Sequence, residues 1–272
     1  MAIIYKPSQV LLDKTIELLK KNRYISGDVY IIPDSNEQPK KYIYYHDLLG
    51  HMAMTAEKEV VTEAVRLLAD TGIEIPEIEL LNHNADKFRD EMKEKVNNVP
   101  WSPFSASAQR FVYMLSYIKR PKKMLCIGIG DGGIVLFWNL GFLDRNSRNE
   151  SVDRILGIEN TSLNIEKAKA NLKKVFMTNK VELLDDSALQ HLEDDSYDYV
   201  LIDAYLKSSY IDIVKDLYPK LKKGGWLLAH DAIYPKYRAN IDDYLSFVRD
   251  KKNFSESICF EFDSNGLELS IK

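Results

Sequence analysis

The feature that most constrains the fold lies in the second half of the chain, where short apolar runs alternate with helix-patterned segments. The apolar runs are KKMLCIGIG, RILGIEN, KVELLD, YDYVLID and GGWLLAHD, and each ends in glycine or a polar residue. The helix-patterned segments are GGIVLFWNLGFL, SLNIEKAKANLKKVF, SALQHL, YIDIVKDLYPKLKK and RANIDDYLSFVRDK. Continuous apolar strands that alternate with helices are what a parallel sheet covered on both faces requires. The sequence therefore predicts an α/β fold with a mostly parallel sheet.

Two further strand-like runs close the chain. SICFEFD and GLELSIK are joined by Ser264-Asn265-Gly266, and an Asn-Gly pair between strands is a strong hairpin signal. We expect a terminal antiparallel hairpin, which completes a Rossmann-like sheet of seven strands.

The first third of the chain is patterned mainly for helices. DVYIIP and KKYIYY, on either side of the turn-rich DSNEQP, predict a hairpin at about residues 28–45. IEIPEIELLNHN predicts a loop before the charged helix ADKFRDEMKEKVNN. We divide the chain into a mainly helical region, residues 1–104, which carries no motif of its own, and a ligand-binding domain, residues 105–272.

Composition excludes several classes of partner. The chain has 37 Lys and Arg against 41 Asp and Glu among its 272 residues, with no cationic block. This balance argues against a nucleic-acid partner, which would require phosphate neutralisation. No apolar stretch is long enough to span a bilayer, and the start has no signal-peptide pattern. Cys126 and Cys259 fit two buried, reduced thiols, so we expect a cytoplasmic protein.

A glycine-rich turn follows the first strand of the predicted sheet. It reads Gly128-Ile129-Gly130-Asp131-Gly132-Gly133. Ligands of open parallel sheets bind beyond the carboxyl ends of the strands, and glycines there let a ligand approach the backbone closely. Such a turn also occurs where a strand only has to pack against a helix, so on its own it is a weak signal.

Acidic residues stand at the ends of the next two strands. Glu159 can accept hydrogen bonds from both ribose hydroxyls of a nucleotide, and Asp186, beside Ser187, can accept one from an adenine amino group. Sites for NAD share the glycine turn and the first acid. The second acid, with a helix starting behind it, favours S-adenosylmethionine.

Together these motifs resemble a class I S-adenosylmethionine-dependent methyltransferase, closest in pattern to the catechol and caffeoyl-CoA O-methyltransferase group. The resemblance covers residues 105–271 and is carried by SASAQRFVYMLSYIK, GIGDGG, GIEN, LNIEKAKANL, DDS, YDYVLIDA and LYPKLKKGGWLLAHD. It implies that the residues around S-adenosylmethionine are Gly128, Gly130, Gly132, Glu159, Asp186, Ser187 and Asp203. The group commonly has an acid late in the first strand, where this chain has Cys126. An acidic anchor for the cofactor is therefore either absent from this chain or supplied by another residue, such as Asp131.

The resemblance also places a reaction centre at Asp203 and the pair His230-Asp231. Metal-dependent members bind a divalent ion with an acid after the fourth strand and an acid–amide pair after the fifth. Three interpretations stay open for this chain. Asp203, His230 and Asp231 hold a metal ion, for which a histidine ligand favours a transition metal; or His230 is a general base; or His230 is structural, with its ring nitrogen satisfied.

Lys207 and the tyrosines nearby also have alternative interpretations. In the resembled group a lysine three residues past the first metal acid assists deprotonation, and Lys207 stands four residues past Asp203. Lys207 is therefore either a catalytic residue or a surface lysine. Tyr205 and Tyr210 can stack on an aromatic substrate or belong to the core.

The resemblance implies methylation of a small molecule, first of all at oxygen, with nitrogen and carbon as alternatives. In this superfamily, segments before the core cap the substrate pocket or build a dimer interface, so a homodimer is compatible with residues 1–104. One alternative is an aminopropyltransferase of the spermidine synthase type, because Asp131 keeps the GDGG tetrad, although Asp203-Ala204-Tyr205-Leu206-Lys207 lacks the acidic, proline-containing segment. Another alternative is a degenerate scaffold that acts as a binding module.

Overall fold

A computed structural model describes residues 2–22, 24, 30–32, 42–95, 104–132, 154–174, 181–233 and 238–272. The helices are α1 (Gln9–Lys21), α2 (Tyr45–Thr55), α3 (Glu57–Asp70), α4 (Ile78–Lys95), α5 (Ala106–Lys119), α6 (Ser162–Lys174), α7 (Tyr210–Leu217) and α8 (Arg238–Val248). Two 3₁₀ turns cover Asp186–His191 and Lys207–Ser209. The predicted helix GGIVLFWNLGFL lies outside the described residues except for Gly132.

A mixed sheet forms the centre of the molecule. Its strands are β1 (Ile3–Tyr5), β4 (Lys123–Ile127), β5 (Arg154–Ile158), β6 (Val181–Leu184), β7 (Tyr197–Ile202), β8 (Leu221–His230), β9 (Glu256–Phe260) and β10 (Leu267–Ile271). They lie in the order β1-β9-β10-β8-β7-β4-β5-β6. Strands β4 to β8 are parallel to one another, and β10 is antiparallel to both of its neighbours. The predicted Rossmann-like α/β fold with a terminal hairpin is confirmed.

The sheet has eight strands, one more than the seven expected. The additional strand is β1, which pairs in parallel with β9 so that Ile3 lies opposite Ile258. A three-residue strand followed by polar residues leaves no periodic signal in the sequence. The start of the chain therefore contributes directly to the edge of the central sheet.

The two faces of the sheet carry separate apolar cores. Met124 and Cys126 of β4 belong to the core that contains the apolar faces of α1 to α5. Leu125 and Ile127, which point the other way, belong to the core formed with α7 and α8. On the first face, the Phe111 ring of α5 packs against the hairpin, with 4.6 Å between its centroid and that of the Phe260 ring. The N-terminal helices thus cover one face of the sheet.

Three predictions about the secondary structure are wrong in detail. The runs near residues 28–45 form β2 (Tyr30–Ile32) and β3 (Tyr42–Tyr44), which pair in parallel and so are not a hairpin. The expected loop before the charged helix is shorter, because α4 already begins at Ile78. The predicted helix YIDIVKDLYPKLKK is too long, because α7 ends at Leu217 and β8 already begins at Leu221. No helix in the described ranges is long and apolar enough to cross a membrane.

Candidate active site

The ends of four parallel strands are joined by hydrogen bonds at one edge of the sheet. The Gly128 amide donates to the Ile158 carbonyl at 2.9 Å, and the Asp203 amide donates to the Ile127 carbonyl at 2.8 Å. The Glu159 amide donates to the carbonyl of Leu184 at 3.0 Å. These bonds bring together residues that are far apart in sequence. The glycine turn, Glu159 and Asp203 are therefore neighbours at the edge where ligands of such sheets bind.

Three glycines shape the turn after β4, each with a positive φ angle. A Cβ atom on Gly128 would lie 2.3 Å from the Asp203 carbonyl oxygen, and one on Gly132 would lie 3.0 Å from Ala168 of α6. These two glycines allow the turn to pack closely on its neighbours. A Cβ atom on Gly130 would meet no atom of the described residues within 4 Å. A ligand can approach the backbone there.

Glu159 stands at the mouth of the turn and holds its conformation. Its side chain accepts the amide of Gly130 at 2.9 Å with one oxygen, and the amide of Thr161 at 3.2 Å with the other. The residue is 7% exposed. A carboxylate held by backbone amides is pre-organised to accept further hydrogen bonds from a ligand. These contacts fit the ribose-binding role that the resemblance implies for Glu159, so the turn and its acid fit S-adenosylmethionine.

The predicted adenine residues lie on the 3₁₀ turn after β6. Asp186 and Ser187 are exposed at the same sheet edge. The Ser187 amide and hydroxyl both donate to the carboxylate of Asp185, which caps the turn. Asp185 therefore fixes the local backbone, and Asp186 projects beside it. Contact of Asp186 and Ser187 with adenine stays a prediction.

The position of the missing strand acid is fully buried. Cys126 is enclosed in β4, where burial, followed by the carboxylates of Asp203 and Glu159, raises the pKa of its thiol well above the ordinary value. The thiol is neutral and cannot replace an anionic anchor. The carbonyl of Asp131 accepts the side-chain amide of Asn171 at 2.9 Å, which ties the turn to α6. The role of Asp131 as the anchor stays a prediction.

The structure brings the predicted reaction-centre residues together in a buried cluster. The Nδ1 atom of His230 lies 3.2 Å from Asp203 Oδ1 and 3.7 Å from Asp231 Oδ1. The side chain of His230 is fully enclosed, at 0% exposure. Asp231 has a φ of 62°, a left-handed conformation that side chains rarely adopt. Such strain persists only where the surrounding structure enforces it, and it is concentrated at functional sites.

Lys207 belongs to this cluster, so its interpretation as a surface lysine is wrong. Its side chain is 5% exposed, and its Nζ atom lies 3.1 Å from Asp203 Oδ1 and 2.6 Å from Asp231 Oδ2. The same nitrogen donates to the hydroxyl of Tyr210 at 2.9 Å. Tyr210 is itself buried, whereas Tyr205 is 93% exposed. The two tyrosines therefore do not form one aromatic surface.

The charges in the cluster shift one another's pKa values. Burial raises the pKa of Asp203, but the charges and hydrogen bonds of His230 and Lys207 outweigh burial and hold that pKa below its ordinary value. Burial lowers the pKa of His230, but Asp203, Asp231 and Asp263 outweigh burial and raise it above its ordinary value. The cluster thus favours a carboxylate beside an imidazolium.

The other nitrogen of His230 is free for a new interaction. Among the described residues, His230 Nε2 has no hydrogen-bond partner, although it is buried. The interpretation of His230 as a structural residue with its ring satisfied therefore holds for Nδ1 only. The ring of Phe104 lies against the imidazole, with 4.3 Å between the ring centroids. Phe104 and Asp263 join the site through tertiary packing, and no motif in the sequence marked either of them.

The cluster does not fit a divalent metal ion. Asp203, His230 and Asp231 each bring one ligand atom to within 4.8 Å of the others, which by itself resembles a metal site. However, the ammonium of Lys207 contacts both carboxylates. At about 4 Å and an effective dielectric constant of about 20, an ammonium repels each unit of positive charge by about 4 kcal/mol. We therefore assign no catalytic step to a metal.

Comparison with known proteins agrees with this geometry. Residues 127–232, which contain every predicted site residue, match the family model described as a methyltransferase domain. A search of the curated proteins finds no match to the chain.

Solved structures share the fold. The O-methyltransferase from Bacillus cereus in complex with SAH is 14% identical and covers 79% of this chain and 99% of its own, with a TM-score of 0.53. An SAH-bound methyltransferase from Podospora anserina is 16% identical and covers 99% of this chain and 98% of its own, with a TM-score of 0.54. The O-methyltransferase TomG from Streptomyces achromogenes, in complex with SAM, is 16% identical and covers 75% of this chain and 94% of its own, with a TM-score of 0.51. Residues 127–232 therefore match a methyltransferase domain, and the chain shares its fold with these solved methyltransferase structures.

Proposed function

We propose that this protein transfers the methyl group of S-adenosylmethionine to a hydroxyl group of a small molecule. The observation that carries the proposal is a juxtaposition at one sheet edge. The open glycine turn with Glu159 lies beside a buried Asp203–His230 pair, which the Asp203 amide ties to the end of β4. A cofactor site and a proton-accepting pair are therefore adjacent, as an alkyl transfer to oxygen requires.

The first part of the site binds the cofactor. When bound, S-adenosylmethionine supplies an electrophilic methyl group on its sulfonium. Glu159 accepts hydrogen bonds from the ribose hydroxyls, while Asp186 and Ser187 face the adenine. Gly130 leaves room for the cofactor against the backbone, because no described residue lies within 4 Å of where its Cβ atom would be.

The second part prepares the methyl acceptor. Asp203 accepts the Nδ1 proton of His230, which leaves Nε2 as the proton acceptor. His230 Nε2 would take the proton of the acceptor hydroxyl, while the bound cofactor would supply the methyl group and leave as S-adenosylhomocysteine. Because the pKa of His230 is raised, the neutral imidazole becomes available only as the pH rises. Activity is therefore expected to increase as the pH rises above the ordinary imidazole pKa of 6.5.

The substrate must reach His230 beside Phe104 or in its place, since the two rings are in contact. Tyr205 is exposed on the loop directly after Asp203, where it can stack on an aromatic acceptor. A small phenolic compound meets both requirements. A homodimer and a cytoplasmic location remain proposals that rest on the sequence.

The test is transfer of a radiolabelled methyl group from S-adenosylmethionine to a panel of phenols, catechols and aliphatic alcohols. A general base contributes about 10²- to 10⁴-fold in rate, so His230→Gln should lose activity on that scale. The matched control is His191→Gln, since His191 is exposed on the 3₁₀ turn after β6. Wild-type rates in His230→Gln, or a rate that falls as the pH rises above neutrality, would contradict the assigned role.

The same assay separates the alternatives. The proteins named in the comparisons are methyltransferases, so the aminopropyltransferase alternative is not favoured. An aminopropyltransferase would use decarboxylated S-adenosylmethionine with an amine acceptor. A scaffold would bind neither form of the cofactor.

A further inference from the structure

We infer that the ammonium of Lys207 takes the place of a divalent cation between Asp203 and Asp231, so that the site is metal-free and becomes a metal site only when Lys207 is removed. The inference concerns the same site as the proposed function. It rests on the position of the amine and does not require that methyl transfer occurs.

Three oxygens of the described residues contact the ammonium of Lys207, as many as it has donors. An ammonium has three N–H donors. The Nζ atom has three oxygen partners: Asp203 Oδ1 at 3.1 Å, Asp231 Oδ2 at 2.6 Å and the Tyr210 hydroxyl at 2.9 Å. A cation that bridges two carboxylates makes the contacts that a bound metal ion would otherwise make.

The position of Lys207 in the chain explains how the amine reaches this point. Lys207 begins the 3₁₀ turn that follows β7, four residues past Asp203. The next helix, α7, begins with Tyr210, whose buried side chain accepts a hydrogen bond from the amine. The short turn therefore directs the side chain back over the strand end, and this side chain is enclosed with the two carboxylates.

Because the two carboxylates are buried, they cannot hold the ammonium and a divalent ion at the same time. The side chains of Asp203, Lys207 and Asp231 are each less than a tenth exposed. Charges in such surroundings are weakly screened, so a divalent ion and the ammonium cannot share the two carboxylates. Removing the ammonium leaves two buried carboxylates with only the ring of His230 beside them. Their ligand atoms already lie within 4.8 Å of one another, so a divalent ion is the natural replacement.

Lys207 is accordingly a positioning residue, which acts through Asp203. By bridging the carboxylate pair, it holds Asp203 Oδ1 where this oxygen also meets Nδ1 of His230. This role predicts a property that an ordinary structural lysine would not have, namely a new metal affinity in a variant without the amine.

The experiment is a titration of the full-length protein with Mn²⁺ alone, followed by electron paramagnetic resonance of the free ion. The proteins are the wild type, Asp231→Asn, Lys207→Met, Lys207→Arg and the double variant Lys207→Met/Asp231→Asn. Methionine keeps an unbranched side chain, one atom shorter and without the charge, whereas arginine keeps the charge. Circular dichroism and thermal unfolding establish which variants are folded.

We expect no saturable Mn²⁺ binding by the wild type or Lys207→Arg. Lys207→Met should bind one ion at least about tenfold more tightly than the wild type, because removing a like charge at this range is worth more than a decade of affinity. The double variant should lose this site. A wild type that binds one Mn²⁺ and loses it on Asp231→Asn would overturn the inference, whether or not Lys207→Met folds. A folded Lys207→Met without a Mn²⁺ site would overturn it too. No S-adenosylmethionine is used, so failure here is distinguishable from failure of the proposed function.

Discussion

Replacing Glu159 with glutamine tests the cofactor site at its most constrained residue. The side chain accepts the amides of Gly130 at 2.9 Å and Thr161 at 3.2 Å, one with each oxygen. Glutamine has the same shape but only one acceptor oxygen. It can keep the bond to Gly130, so the variant is expected to fold with the glycine turn in place. What it loses is the negative charge that faces the ribose.

The size of the effect follows from the kind of bond that is lost. A hydrogen bond to a charged group contributes about 1.5–3 kcal/mol. Loss of one such bond to a ribose hydroxyl therefore weakens cofactor binding by about 10- to 150-fold in Kd. The effect on the free energy of unfolding should be smaller, since the Gly130 contact is retained.

The assay is calorimetric titration of the wild type and Glu159→Gln with S-adenosylhomocysteine. Glu166→Gln is the matched control, because Glu166 lies on α6 with its side chain 70% exposed and paired with Lys169 at the surface. The control should bind like the wild type. A folded Glu159→Gln with wild-type affinity, in a protein that does bind the ligand, would refute the ribose role of Glu159.

Three further predictions concern the framework of the site. Phe111→Ala should lower the free energy of unfolding in urea by about 3–5 kcal/mol, because the ring is fully buried against the hairpin; a loss below about 1 kcal/mol would argue against this packing. Gly128→Ala should destabilise the protein more than Gly224→Ala, since both positions have a positive φ but only at Gly128 would the added carbon meet backbone, at 2.3 Å; equal losses in thermal unfolding would contradict the close approach. Asp203→Asn should be destabilising near neutral pH, and the difference from the wild type should shrink in acid. The pKa of Asp203 is lowered in the folded state, so its stabilisation is complete above the ordinary value of 3.8 and is lost as the pH falls through the lower folded value; a difference in urea stability that is constant with pH would refute this coupling.

The part of the fold that the sequence predicts best is the part with the strongest periodicity. The runs that became β4, β5 and β7 are continuous and apolar, and each ends in the glycine or acid that forms the site. The Asn265-Gly266 pair correctly predicted the terminal hairpin. In this hairpin Gly266 has a φ of 66°, and its amide donates a hydrogen bond to the side chain of Asp263. These elements depend mainly on residues that are neighbours in the sequence, so the sequence pattern was sufficient to predict them.

The errors arose where pairing between distant segments decides the structure. Strand β1 has three residues and is stabilised by β9, more than 250 residues away in the chain. The strands β2 and β3 have the composition of a hairpin, yet they pair in parallel. Composition indicates that a run favours a strand, but it does not give the direction of its partner.

The burial of Lys207 shows the same limit within the site. The spacing of four residues from Asp203 left a catalytic role and a surface position both open, and lysine is most often exposed. The structure encloses it because Asp203, Asp231 and Tyr210 come from three different elements and together satisfy its charge and its donors. A buried ion cluster of this kind is a property of the tertiary structure, and the sequence around any one member does not contain it.

The most direct test of the central claim is calorimetric titration of the wild-type protein with S-adenosylmethionine and with S-adenosylhomocysteine. The account predicts that both ligands bind at one site per chain, and that added chelator leaves both affinities unchanged. A wild-type protein that binds neither ligand would contradict the assignment of the glycine turn and Glu159 as a cofactor site.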